Sequence, residues 1–223
     1  MTPDSTPSSA NFAIAIDGPA ASGKSTLARL LAKRLGLIMV NSGAMYRAIT
    51  WKVLREGISP ADTAAVIAML ERITIDCGHD GHVSTIAIDG VDPGEELRGE
   101  DINSNVSAVS AIPEVRKKLI ALQRGYLRQS SVVMEGRDIG SVVFADTPYK
   151  IYVNADERVR AARRVNMGEV DSIAKRDAQD SGRATAPLVV AEGATILDNS
   201  HLGIDEGVDA AIEILRKQGL HLP

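Results

Sequence analysis

Apolar residues recur along the chain in two alternating forms, short unbroken runs and longer helical stripes, and this alternation predicts an α/β fold with a parallel sheet covered by helices on both faces. Phe12 to Ile16 form the first run, and Leu27, Leu30, Leu31 and Leu35 follow at helical spacing. Leu37 to Val40 reads as a second strand, Ser42 to Glu56 as a helix closed by Gly57, and Val66 to Ile73 as a short helix. From Ile73 to Val91 β-branched runs are broken by Asp80-Gly81 and Asp89-Gly90, two hairpin signals that predict a small antiparallel insert. Helices are expected over Asp101 to Ala111 and Glu114 to Arg128, with Pro113 suited to a first turn. The runs Val132 to Met134 and Lys150 to Val153 return to the central sheet. Helices at Asp156 to Val165 and about Asp171 to Ser181, a strand near Thr195 to Leu197 and a helix from Ile204 to Lys217 complete the pattern.

The join between the first run and the first stripe carries the sharpest chemical signal. Gly18-Pro19-Ala20-Ala21-Ser22-Gly23-Lys24-Ser25 matches G-x-x-x-x-G-K-[ST], and it stands where such a loop must stand, between a buried strand and a helix N-terminus. Free backbone N–H groups and the positive end of the helix dipole face an anion there. Lys24 would reach the β and γ phosphates of a nucleoside triphosphate, and Ser25 would ligate Mg²⁺.

Composition narrows the partners. The chain has 223 residues, 44% hydrophobic and 24% charged, enough for one substantial core with a smaller appendage. A net charge of −4 argues against a nucleic-acid duplex as partner. Cys77 is the single cysteine, so no intrachain disulfide is expected and a reducing cytoplasm fits. Residues 1–11 read as a frayed tail and not as a signal peptide, and no apolar run reaches membrane-spanning length. His79, His82, His201 and His221 lack metal-ligand spacing. No long apolar surface stripe remains once the core is assigned, which favours a monomer.

A phosphate loop does not by itself separate a kinase from a switch or a motor; the arginines do more. Arg137-Asp138 follows the Val-Val-Met-Glu strand end, where open α/β sheets bind ligands, and Arg160, Arg163 and Arg164 sit in a polar helical region suited to a cationic lid. Transfer between two polyanions needs their repulsion cancelled, a task for convergent guanidiniums. A guanine-reading switch would carry N-K-x-D and D-x-x-G, and neither occurs. Another small-molecule kinase, for uridylate, adenylate or shikimate, is the nearer alternative.

Four segments in order carry a closer resemblance: Ile16-Asp17-Gly18-Pro19; Asn41-Ser42-Gly43-Ala44-Met45-Tyr46-Arg47; Glu135-Gly136-Arg137-Asp138-Ile139-Gly140-Ser141-Val142-Val143-Phe144; and Arg176-Asp177 through Arg183 to Ala186-Pro187-Leu188. Together they resemble the bacterial cytidylate kinases, from about Phe12 to near the C-terminus. The resemblance implies a P-loop nucleoside monophosphate kinase fold: a core (12–61, 112–155 and 184–223), an enlarged monophosphate-binding insert (62–111) containing a small antiparallel sheet, and a lid (156–183). It implies transfer of the γ-phosphate of MgATP to CMP or dCMP. Gly18, Pro19, Ala20, Ala21, Ser22, Gly23, Lys24, Ser25, Thr26 and Arg163 would hold ATP. Ser42 and Arg47 would bind the acceptor nucleotide, and Ser107, Arg116 and Asp138 would read its base. Arg137 and Arg183 would hold phosphate and, with Lys24, carry the catalysis; Arg176 and Asp180 would lie at the sugar. Two departures stand out. The family often has Asp where this chain has Asn41, and the segment from Val165 to Lys175 is shorter than in many relatives.

Overall fold

The computed structural model describes residues 11–166 and 188–221. Its strands are β1 (Ala13–Asp17), β2 (Ile38–Asn41), β3 (Ile75–Asp80), β4 (Val83–Ile88), β5 (Val132–Gly136), β6 (Lys150–Asn154) and β7 (Thr195–Asp198). They form one seven-stranded sheet in the order β3-β4-β2-β5-β1-β6-β7. Every pairing is parallel except the β3–β4 hairpin. Among the described residues the α-helices are α1 (Lys24–Leu35), α2 (Ser42–Arg55), α3 (Thr63–Arg72), α4 (Glu100–Ser110), α5 (Pro113–Gly125), α6 (Glu157–Asn166) and α7 (Ile204–Lys217).

Residue alternation along the strands sorts the core into two faces. Ala13 and Ala15 of β1, Ile38 and Val40 of β2, and Val132 and Met134 of β5 pack with α2, α3, α4 and α5. Ile14 and Ile16, Met39, and Val133 point the other way, onto α1 and α7. Burial on both faces explains why these strands read as continuous apolar runs.

Short polar devices fix the ends of elements. Gly36 takes a left-handed conformation (φ 66°) that ends α1. The side chains of Asn41 and Asp62 accept the N–H groups of Ala44 and Ala65 and so cap α2 and α3. Pro113 occupies the first turn of α5.

Of the two Asp-Gly signals, the first marks the hairpin between β3 and β4, with Asp80 ending β3 and Gly81 and His82 making the turn. Asp89-Gly90 makes a tight turn with both residues at positive φ, closing Ile88 onto Val91 outside the strands. The hairpin does not form a separate small sheet. It extends the central one, because Met39 N–H donates to His82 O (2.8 Å) and β4 lies parallel to β2. The helix expected near Asp171 to Ser181 lies outside the described residues. No helix among the described residues is long and apolar enough to cross a membrane.

Candidate active site

The phosphate loop leaves the C-terminal end of β1, pinned between β5 and β6. Its backbone is special where the motif demands it. Ala21 has φ 56° and Gly23 φ 93°. A Cβ on Gly18 would lie 2.2 Å from the Val153 carbonyl oxygen, so only glycine permits this approach to β6. Four loop carbonyls are held by basic side chains. Arg137 donates to Gly18 O (3.1 Å), Lys24 Nζ to Pro19 O (3.1 Å), Arg160 to Ala20 O (3.3 Å) and Arg163 to Ser22 O (3.1 Å).

Beside the loop, Ser25 Oγ donates to Glu135 Oε1 (3.0 Å). Glu135 follows the apolar residues of β5 and is itself buried. A hydroxyl and a carboxylate oxygen at one cleft edge are hard donors of the kind Mg²⁺ takes, in a site where phosphates and water would complete its shell. No cluster of three or more His, Cys, Asp or Glu able to hold a metal exists among the described residues.

Asp17 Oδ1 accepts from Ile139 N–H (2.8 Å) and Oδ2 from Gly140 N–H (2.7 Å). These bonds clamp the wide turn Ile139–Val143 that follows Asp138. Burial pushes the Asp17 carboxyl up to about 6, against the two N–H bonds that favour its ionised form. Lys150 stands behind the same turn; its buried Nζ donates to Ala145 O (2.7 Å) and Glu192 O (3.0 Å).

A cleft of about 310 Å³ opens from the loop across the strand ends. Lys24, Ser25, Thr26, Ser42, Arg47, Ser107, Arg116, Arg137 and Asp138 all line it, together with Ala20, Ala21 and Gly23. Ser42, buried at the start of α2, donates its hydroxyl to Glu135 O (2.7 Å). A Cβ on Gly136 would come within 2.5 Å of that hydroxyl, which explains the glycine after Glu135. Arg47, one turn further along α2, donates to Asn103 Oδ1 (3.4 Å). At the far end Arg116 donates to Asp138 Oδ2 and to Ser110 O, and its guanidinium lies 5.5 Å from the centre of the Tyr46 ring. Both members of the Arg116–Asp138 pair are buried.

The structure thus brings the triphosphate-loop residues and the expected acceptor residues into one cleft. Gly18, Pro19 and Ser22 shape the loop from behind. Arg163 also lies behind it, on Ser22 O and on Asn199 O (2.7 Å), whereas its neighbour Arg164 is buried and lines the cleft. Arg176, Asp180 and Arg183 lie outside the described residues. Sequence reasoning assigned no role to Glu135 or Ser110. An acidic residue ending an apolar strand of a parallel sheet was the available signal for Glu135; Ser110 offered none.

A phosphate loop between the first strand and helix of a mostly parallel sheet, with an arginine-lined cleft beyond the strand ends, defines a P-loop kinase of the nucleoside monophosphate type. More narrowly, the chain belongs to the cytidylate kinase family, whose family model, described as Cytidylate kinase, matches residues 14–217. It is 45% identical over 215 residues to the cytidylate kinase of Caldanaerobacter subterraneus subsp. tengcongensis, covering 92% of this chain and 94% of that one. It is 42% identical over 214 residues to that of Corynebacterium glutamicum, covering 91% and 93%. Among solved structures, TT1252 from Thermus thermophilus superposes with a TM-score of 0.50 at 16% identity, covering 95% of this chain and 99% of that one, a likeness of fold.

Proposed function

We propose that the chain is a cytidylate kinase, an ATP-dependent phosphotransferase that converts CMP or dCMP to the diphosphate with release of ADP. The observation that carries this reading is the buried Arg116–Asp138 pair in the same cleft as Lys24 and the phosphate loop. Cytosine presents an amino donor at N4 and acceptors at N3 and O2, so one carboxylate and one guanidinium are its complement.

The residues divide the work by position. The loop N–H groups and Lys24 cradle the β and γ phosphates of the donor. Arg47, in the second turn of α2, binds the acceptor phosphate. Arg137 and Arg164 line the space between the two and neutralise charge that builds on the transferred group. Ser25, with Glu135 behind it, would hold Mg²⁺, which supplies further neutralisation of the phosphate oxygens when bound. The acceptor is already an anion at neutral pH, so positioning and electrostatics suffice and no strong general base is required. Arg176, Asp180 and Arg183 complete the acceptor site in this reading. The substrates are small nucleotides, and the enzyme is a cytoplasmic monomer.

A coupled assay with CMP, dCMP, UMP, AMP, GMP and shikimate as acceptors tests the proposal. CMP and dCMP should lead; preference for any other acceptor would overturn the reading.

A further inference from the structure

The peptide between Ser22 and Gly23 is gripped from outside the cleft. Asn199, in the turn after β7, donates its Nδ2 to Ser22 O (2.8 Å), and Arg163 of α6 donates to the same oxygen (3.1 Å). Arg163 also donates to Asn199 O (2.7 Å), so the two donors are tied to each other. Asn199 is held in turn by its own N–H, which donates to Asn154 O (2.8 Å) and carries the β6–β7 ladder one step further. The amide packs directly on the loop: a Cβ at Gly23 would lie 2.3 Å from Asn199 Nδ2. Neither Asn199 nor Arg163 lines the cleft, whereas Gly23, Lys24 and Ser25 do.

A trans peptide points its C=O and its N–H in opposite directions. Fixing the Ser22 carbonyl outward therefore aims the Gly23 N–H inward, at the side where the loop faces the cleft. Gly23 at φ 93° lies in a region where glycine is conformationally permissive, so without an external grip this peptide is free to turn. A flipped peptide would present a carbonyl oxygen to an anion.

We infer that Asn199 and Arg163 are positioning residues for phosphoryl transfer: they hold the Ser22–Gly23 peptide in the orientation that binds the donor triphosphate, and they act through the loop without touching the donor. Asn199 is thereby assigned a role in the reaction, and Arg163 acts on the donor indirectly. The inference rests on ATP as the donor.

The experiment compares wild type with Asn199→Ala, Asn199→Asp and Arg163→Ala, measuring affinity for ATP and for inorganic tripolyphosphate, KM for CMP, and thermal midpoint. In Asn199→Ala both donor-site affinities should fall together, by about tenfold, the equivalent of one hydrogen bond to the loop. Asn199→Asp should lose more, because its carboxylate faces the Ser22 carbonyl oxygen. KM for CMP should stay put. Arg163→Ala leaves the β6–β7 ladder intact and must show the same paired loss, so it decides the matter if an Asn199 variant does not fold. Affinities within twofold of wild type in the folded variants would overturn the inference. So would loss for ATP with tripolyphosphate unaffected, since Asn199 would then be meeting the nucleoside. A wild type that neither binds tripolyphosphate nor turns over ATP would instead sink the donor assignment itself.

Discussion

Arg116 and Asp138 meet at the end of the cleft as a buried ion pair, with side chains only 5% and 6% exposed. Arg116 comes from α5 and Asp138 from the turn after β5, so the pair joins the helical wall of the cleft to the sheet. A base that binds here must donate a hydrogen bond to Asp138 and accept one from Arg116. Uracil inverts part of the cytosine pattern by offering an acceptor at O4 and a donor at N3. Asp138→Asn can turn its amide to donate to O4, so it should depress kcat/KM for CMP and narrow the gap to UMP, by tenfold or more given the cost of about 1–3 kcal/mol for mispairing a buried polar group. An unchanged CMP-to-UMP ratio at saturating MgATP would remove Asp138 from the base site.

Lys24 is buried at the head of α1 with its ammonium on Pro19 O. Replacing it with Met keeps the volume and removes the cation, so the fold should persist while turnover falls by two or more orders of magnitude, roughly 3 kcal/mol. Steady-state rates alongside a thermal melt check this. Near-normal turnover in a folded variant would contradict the phosphate-loop assignment.

Asp17 gives a pH signature. Its carboxyl is raised from 3.8 to about 6 in the folded chain, chiefly by burial. The folded state therefore binds the proton more tightly than the unfolded one, and this contribution is fully present below pH 3.8 and lost as pH rises through 6. Asn cannot ionise, so the stability of wild type relative to Asp17→Asn should fall by roughly 3 kcal/mol across that window. Urea unfolding of both proteins from about pH 2.8 to 7, roughly one unit beyond the titration at each end, measures it. A difference that stays flat with pH would be inconsistent with the burial argument.

Asn41 explains a departure from the family pattern that the sequence alone left without a role. Its Oδ1 caps α2 through Ala44 N–H, a task open to Asp and Asn alike. A Cβ built on Gly43 would lie 3.2 Å from both Asn41 Oδ1 and a guanidinium nitrogen of Arg47, so the cap and the cation proposed for the acceptor phosphate share one neighbourhood. Asn41→Asp should strengthen the helix end by about 0.3–1 kcal/mol through the dipole. Partial neutralisation of Arg47 should at the same time raise KM for CMP several-fold. Thermal melts and acceptor kinetics on the one variant separate the two effects.

The fold was legible where periodicity is strong. β1, β2 and β5 are buried on both faces, so their apolar runs could hardly be read otherwise, and the bounds of α2 and α7 fall within a residue of the expectation. The hairpin's attachment to the sheet was not legible, because it rests on the backbone of Met39 and His82, which carries no side-chain signal. In the site, the loop and the arginines announced themselves by type and spacing. The roles of Arg163 and Arg164 could not be told apart, since adjacent helical residues point about 100° apart and only the position of α6 decides which faces the cleft. Asn199 lies 176 residues from Gly23, beyond any local pattern.

Lys24, Arg47, Arg116, Arg137 and Arg164 line the cleft with Glu135 and Asp138, so among the described residues its walls carry more positive than negative charge. The whole chain carries −4. Beyond about 10 Å at 0.1 M salt the cleft's own field is screened, and what a distant anion meets is whatever surface lies nearest. A mononucleotide is short enough to reach the mouth and feel only the basic walls. A long polyanion would bring the rest of its charge near a chain that is negative overall. Under the proposed function, this difference in sign between the cleft and the chain as a whole favours short anions such as mononucleotides over long ones.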